Sequence, residues 1–263
     1  MTTSFFIADG DALIPTDYAV SLWSPNQLAG HGVCGAAARE LERPDGFVPA
    51  RTTVDLFMPV LAAPFHFESE VVRKGRRIVV ADARLVQECV TRTRATAVFV
   101  ATNEPPPGRI WAPDHEFPTP PSEIPDPEQN PSFHLPDGTW TDDWTAVQSA
   151  ERKTLWRNLA PIVAGEADCA YARAAVTAET TSLATNWGDA GVGYINTDLT
   201  MALTRLPESI DFGVRATDHQ EWDGVAVGVG TLIDRRGPFG SATVTALSNA
   251  RRMIDLSITA ARA

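Results

Sequence analysis

Hydrophobic and polar positions along the chain change period in a fixed order, and that order occurs twice. Residues 29–43, AGHGVCGAAARELER, have helical composition with small residues throughout and stop before Pro44. Four alternating runs follow: ARTTVDLFMPV (50–60), FHFESEVVRKG (65–75), RRIVVADARLVQE (76–88) and TRATAVFVAT (93–102). Alternation with a period of two, rich in β-branched residues, predicts strands. Residues 165–184, GEADCAYARAAVTAETTSLA, again predict a helix, and 192–205, 209–221, 225–237 and 240–251 again predict strands. A single helix followed by a run of strands gives an α+β chain with antiparallel sheets, not a parallel βαβ sheet. Gly228 and Gly230 interrupt a strand pattern, where glycine marks a bulge or a close backbone approach.

The two halves also match in letters. Asp55-Leu56-x-Met58 corresponds to Asp198-Leu199-x-Met201, an offset of 143, and Ala95-Thr96 to Ala242-Thr243, an offset of 147. The difference is an insertion in the second half, where DHQEWDG replaces KG. A tandem duplication is the expectation. Between the halves, residues 105–136 hold 11 of the 20 prolines, which excludes a helix or a central strand there. The organisation expected is a first unit at 1–103, an acidic proline-rich linker at 104–140 and a second unit at 141–263. Trp111, Phe117 and Phe133 are expected to pin the linker onto the folded body.

Composition narrows the function. With 22 Lys+Arg against 33 Asp+Glu, the net charge is -11, which disfavours nucleic acid as a partner. No apolar run approaches the roughly 18–20 residues of a membrane span. MTTSFFIADGDALIP lacks the basic start of a secretory leader. Cys34, Cys89 and Cys169 form no CxxC, and no His pair has metal-ligand spacing, so neither a zinc site nor a disulfide framework is expected. The expectation is a cytoplasmic protein with no metal and no cofactor. GxGxxG in a βαβ setting, GxxxxGK[ST] and GxSxG are all absent.

The glycine-rich helix entry HGVCGAAARELE and the strand segment ARTTVDLFMPVLAAPFHFESEVVRKGRRIVVADARLVQE resemble the TesB-like acyl-CoA thioesterases. The closing segments YINTDLTMALTRLPE and GVGTLIDRRGPFGSATVTAL resemble the actinobacterial branch of that family. The resemblance covers roughly residues 20–102 and 150–250. It implies a tandem (double) hotdog: two antiparallel sheets, each wrapped around a central helix. It also implies hydrolysis of a fatty acyl-CoA by a water held among an Asp, a Thr or Ser, and a Gln. Those positions fall here on Glu179, Asn196 and Thr245. The alternative is an acyl-CoA or acyl-lipid binding protein of the same fold with weak or no turnover, since all three residues depart from the usual set. Enoyl-CoA hydration would want a paired Asp and His; Asp9, Asp11 and Asp17 have no nearby His, and Asp114-His115 lies in the linker.

The residues themselves allow this chemistry. Thioester hydrolysis needs a base for water and donors where the carbonyl oxygen becomes negative. Glu179, among Thr177, Thr180, Thr181 and Ser182, is the candidate base. Asn196, Asp198 and Thr200 alternate along one strand and are expected on one face. Asp198 is weighed both as a substrate contact and as a structural residue, because Asp55 is its counterpart in the first half. His31 and Gly32, at a helix start, are candidates for a substrate group. Arg76, Arg77 and Arg235, at equivalent hairpins, are candidates for the phosphates of acyl-CoA. A homo-oligomer through sheet edges is also expected.

Overall fold

The computed structural model describes residues 3–41, 44–111 and 117–256. In the first half the central helix is α1 (Gly30–Glu40), followed by strands β1 (Phe47–Leu56), β2 (Phe65–Lys74), β3 (Ile78–Gln87) and β4 (Val90–Ala101). In the second half α2 (Ala170–Glu179) runs through Thr180 into α3 (Thr181–Asn186). Strands β5 (Asp198–Leu203), β6 (Asp211–Trp222), β7 (Val225–Asp234) and β8 (Gly237–Ser248) follow.

The strand order is β2-β3-β4-β1-β5-β8-β7-β6, antiparallel throughout. The two four-stranded blocks mirror one another, and their first strands pair at the centre with Asp55 opposite Asp198. Two sheets are expected from the resemblance; here the blocks join into one continuous sheet, because neither β1 nor β5 leaves its outer edge unpaired. Short strands lengthen both ends. Ala12–Pro15 adds to β2, and Thr154–Asn158 adds to β6. Phe5 and Phe6 then donate to Pro161 and Ile162, so the sheet curls round until its ends meet.

Inside this curl the helices lie antiparallel. Every residue of α2 from Tyr171 to Glu179 is buried. A helix buried all round must be small-sided, and half of this one is alanine. The contact with α1 is tight at Gly35, where a Cβ would come within 2.5 Å of Val176 and 2.9 Å of Ile162. The Tyr171 hydroxyl, 2.8 Å from Thr52 Oγ1, ties α2 to β1. The strand glycines serve close approach, as their pattern predicts: a Cβ on Gly228 would lie 2.0 Å from Thr185 Oγ1, and one on Gly230 3.0 Å from Thr181 Oγ1. A bulge between Ala216 and Asp218 lies opposite the same stretch.

Much of the proline-rich segment is fastened down. Ser132–His134 forms a strand beside Thr154–Asn158, and Phe133 is fully buried. Phe117 packs against Ile124, Trp156 and Ile233. Trp111 does not pin the chain; it is 83% exposed, and the described contacts with the body begin at Phe117. Asp114-His115 lies outside the described residues. Among the described residues no helix is long and apolar enough to cross a membrane.

Candidate active site

The Glu179 carboxyl, at the end of α2, sits against the first residue of α1. A Cβ built on Gly30 would meet Glu179 Oε1 at 2.4 Å. A side chain there would displace the carboxyl from where it stands. The antiparallel packing of the helices forces the meeting, since it sets the C-terminus of α2 beside the N-terminus of α1. The first N–H groups of α1 have no partner within the helix and carry its positive end. Glu179 is only 9% exposed, and burial pushes its carboxyl up from an ordinary 4.5 to about 7. A hydrogen bond works the other way: Asn196 Nδ2 donates to Glu179 Oε1 at 3.2 Å and favours the ionised form.

Asn196 reaches the interior through a defect in the sheet. Asn196 pairs with Ala246, but Thr200 pairs with Thr243, so one strand has an extra residue. Such a bulge reverses the alternation. Leu199 and Met201 point inward and Asp198 and Thr200 outward, yet Asn196 turns inward with Ala246. The expected common face for Asn196, Asp198 and Thr200 is therefore corrected: the bulge separates Asn196 from the other two.

Thr245 is also corrected. Its neighbours Val244 and Ala246 face the core, which leaves Thr245 on the outer face of the sheet. There its hydroxyl donates to Asp198 and lies 2.9 Å from Thr197 Oγ1, and its N–H donates to Asp198 at 3.3 Å. The inward position beside Asn196 is taken by Ala246, whose methyl cannot hold a water. Asp198 is thus engaged on the outer face by Thr245 and Thr197 and does not face Glu179.

The remaining candidates separate in the same way. His31 is next to Gly30 and stacks edge-on against Phe5, with ring centroids 5.7 Å apart. Burial, reinforced by the Arg157 charge, pushes its imidazole down to about 3, so it stands neutral. Gly32 is a packing position, since a Cβ there would touch the Phe5 ring at 3.0 Å. Arg235 spends four of its five N–H donors within the protein: on Asp211 Oδ1 at 2.8 Å and Oδ2 at 2.6 Å, on Pro120 O at 3.0 Å and on Ser122 O at 2.7 Å. It clamps the proline-rich segment, and one remaining N–H cannot make the two-pronged grip on phosphate for which it was a candidate. Arg76 and Arg77 are exposed on the β2–β3 hairpin. That hairpin bonds Ala101 beside Phe47, at the end of the sheet reached after α1 finishes, and so lies opposite the end that holds Glu179.

Gly30 was not singled out by its sequence context, although the AGHG spacing carries a signal for it. Cys34, one turn along α1, is buried, and burial with the nearby Glu179 charge raises its thiol well above the ordinary value. It is a packing residue and no nucleophile. Among the described residues no group of three or more His, Cys, Asp or Glu could hold a metal.

The site therefore consists of a buried carboxyl balanced near neutrality, one carboxamide donor and a helix N-terminus. That combination can accept a proton from water and stabilise a developing oxyanion.

Residues 31–100 match the family described as the acyl-CoA thioesterase N-terminal domain. No curated protein matches the chain. Among solved structures, the acyl-CoA thioesterase II TesB2 of Mycobacterium marinum is 16% identical, covers 86% of this chain and 90% of its own, and superposes with a TM-score of 0.62. A TesB protein of Mycobacterium avium subsp. paratuberculosis gives 15% identity, coverage of 90% and 92%, and a TM-score of 0.60. A hot dog fold protein of Alicyclobacillus acidocaldarius gives 19% identity, coverage of 93% and 96%, and a TM-score of 0.63. The first half thus carries a segment similar to the acyl-CoA thioesterase N-terminal domain, and the chain as a whole has the hotdog fold of these solved structures.

Proposed function

We propose that the chain hydrolyses acyl-CoA thioesters with Glu179 as general base. One observation carries the reading: a carboxyl pushed to about 7 lies against a helix N-terminus and within hydrogen-bond reach of Asn196. A base whose pKa lies near the working pH is ionised often enough and still basic enough to act. In the reaction Glu179 takes a proton from water, and the water oxygen bonds to the thioester carbon. The oxyanion leans on the N–H groups at Gly30 and His31. The carbon–sulfur bond then breaks, and the leaving thiolate takes the proton back from Glu179. Asn196 holds the carboxyl in place.

We read the chain as two hotdog units, 1–103 and 141–263, each with its own helix, joined by the proline-rich segment at 104–140. The mirrored strand order and the facing aspartates support this reading. The second reading, binding without turnover, is favoured by the outward Thr245 and the methyl of Ala246 in its stead.

Thiol release measured across acyl-CoA chain lengths separates the two. The expected result is turnover by the wild type and a loss on the order of 10²–10⁴-fold in Glu179→Gln. Tight binding without thiol release would establish the second reading, and equal rates for the two proteins would remove Glu179 from the chemistry.

A further inference from the structure

The two halves keep one strand plan but differ in charge at one equivalent place, the hairpin between the second and third strands. In the first half this is the β2–β3 hairpin, where Arg73, Lys74, Arg76 and Arg77 are exposed and no acid lies between Val71 and Ala81. In the second half it is the β6–β7 hairpin, lengthened by the DHQEWDG insertion. There Asp218, Glu221 and Asp223 are exposed, and no Lys or Arg lies between Thr217 and Asp234. Among the described residues none of the four cations makes an ion pair, and none of the three acids meets a Lys or Arg. A solvated hairpin tip would account for the charges alone; it does not account for the apolar surface beside them.

On the acidic hairpin Trp222 stands opposite Val225, Val225 opposite Leu247, and Leu247 opposite Ile195. Four large side chains, 45 to 80% exposed, thus line up on the outer face across four strands. Asp223 and Gly224 take positive φ and close the turn in two residues, which leaves Trp222 standing out at the tip. On the basic hairpin Val71, Val72 and Ile78 are exposed. Apolar residues scattered singly over a surface need no explanation, but a continuous row beside unpaired charge marks a contact surface.

The two hairpins cannot meet within one chain. Ile195 adjoins Asn196, which puts the β6–β7 hairpin at the Glu179 end of the sheet, whereas the β2–β3 hairpin lies at the other end. A second copy turned end for end offers the missing surface in both places at once. We infer that two copies associate about a two-fold axis, the β6–β7 hairpin of each docking on the β2–β3 hairpin of the other, acids on cations and Trp222 among the exposed valines. A two-fold closes both contacts together and leaves neither hairpin free. An anionic lipid surface fits the basic hairpin but opposes the acidic one, and a copy of the chain fits both. About 15 side chains of each copy take part, short of the roughly 20–30 a side of a tight interface, so the dimer is a micromolar one. Nothing in this association depends on thioester hydrolysis.

Sedimentation equilibrium of the full chain, from about 2 to about 200 µM, reads the association. The wild type is expected to pass from 28.4 kDa to twice that mass. Trp222→Ser should weaken the dimer about tenfold, and raising salt from roughly 0.05 to 0.5 M about fivefold. Charge reversal supplies the decisive arm. Lys74→Glu/Arg76→Glu/Arg77→Glu turns the basic hairpin acidic, and Asp218→Arg/Glu221→Arg turns the acidic one basic. Each variant alone should stay monomeric with circular dichroism unchanged, and an equimolar mixture of the two should dimerise, because every contact then joins opposite signs. A wild type that remains monomeric throughout, a dimer indifferent to these substitutions, or a mixture that does not associate would overturn the assignment. So would growth past the dimer, the mark of an open head-to-tail chain, or phosphatidylserine vesicles that bind the wild type while it stays monomeric.

Discussion

Replacing Glu179 by Gln tests the energetics of the site independently of its chemistry. The folded state holds the carboxyl near 7, whereas the unfolded chain releases the proton near 4.5. Below 4.5 both states are protonated, and Gln imitates the acid closely. As pH rises from 4.5 to 7 the unfolded state ionises first, so the wild type loses stability; above 7 the loss is complete. At about 1.4 kcal/mol per pH unit, that interval corresponds to about 3 kcal/mol. The positive end of α1 favours the anion and trims the figure by up to about 1 kcal/mol. Urea unfolding of both proteins at pH 4.5, 6 and 8 reads the difference. His31 and the surface carboxylates titrate alike in both and cancel. Glu179→Gln is expected to match the wild type at pH 4.5 and to exceed it by about 2–3 kcal/mol at pH 8. A gap that is the same at all three pH values would show that Glu179 titrates as an ordinary carboxyl, and the case for a tuned base would end. In the wild type, kcat/KM for acyl-CoA should rise with pH through a midpoint near 7, because the base acts ionised.

Further outcomes follow from the same geometry. Asn196→Ala removes the donor that favours the carboxylate, so the midpoint of the pH–rate profile should move upward; a profile that only falls in height would place Asn196 elsewhere in the mechanism. Gly30→Ala drives a methyl into Glu179 Oε1, the movable tip of a flexible side chain, so thiol release should drop at least tenfold while Tm holds or rises, alanine being the better helix former by about 1 kcal/mol. Equal activity in Gly30→Ala would mean that the carboxyl need not stand where it does. Thr245→Val acts on the outer face, and stability should fall by about 1 kcal/mol with kcat unchanged; a large loss of kcat would return Thr245 to the active site.

The period-two runs made the eight main strands readable, because most of them bury one face only, and the runs of small residues marked both central helices. The resemblance named Glu179 and Asn196, and the two side chains do meet; that Glu179 would lie against the start of the first helix was not legible in the letters. What the letters could not give was phase. A single extra residue near Thr197 turns Asn196 inward while leaving Asp198 and Thr200 outward, and no residue type announces it. Thr245 fails for a related reason: its strand is continuous, and its place in the alternation is fixed only by which neighbours are buried. Arg235 looked available because its partner Asp211 lies on another strand and the carbonyls of Pro120 and Ser122 lie across the molecule.

The mirrored halves raise the question of why one centre and not two. Both central helices end in glutamate, α1 at Glu40 and α2 at Glu179. The antiparallel packing that brings Glu179 to the start of α1 also brings the end of α1 to the start of α2, where Arg39 bonds Glu166. The surroundings then diverge. Glu40 accepts from Ser69 Oγ at 2.8 Å, lies 3.5 Å from Arg39 and stays partly in solvent. Glu179 is shielded, and the influences on its carboxyl are burial and one neutral donor. A carboxylate denied both a cation and water holds a proton more readily, and that is the setting of Glu179. Fold symmetry therefore supplies two candidate positions, and only Glu179 has the shielded surroundings that the proposed base needs. Glu40→Gln should accordingly leave the height and the midpoint of the pH–rate profile within twofold of the wild type, measured on the same acyl-CoA used for Glu179→Gln. A loss comparable to that of Glu179→Gln would mean that burial does not decide which carboxyl works, and the assignment of Glu179 would lose its physical basis.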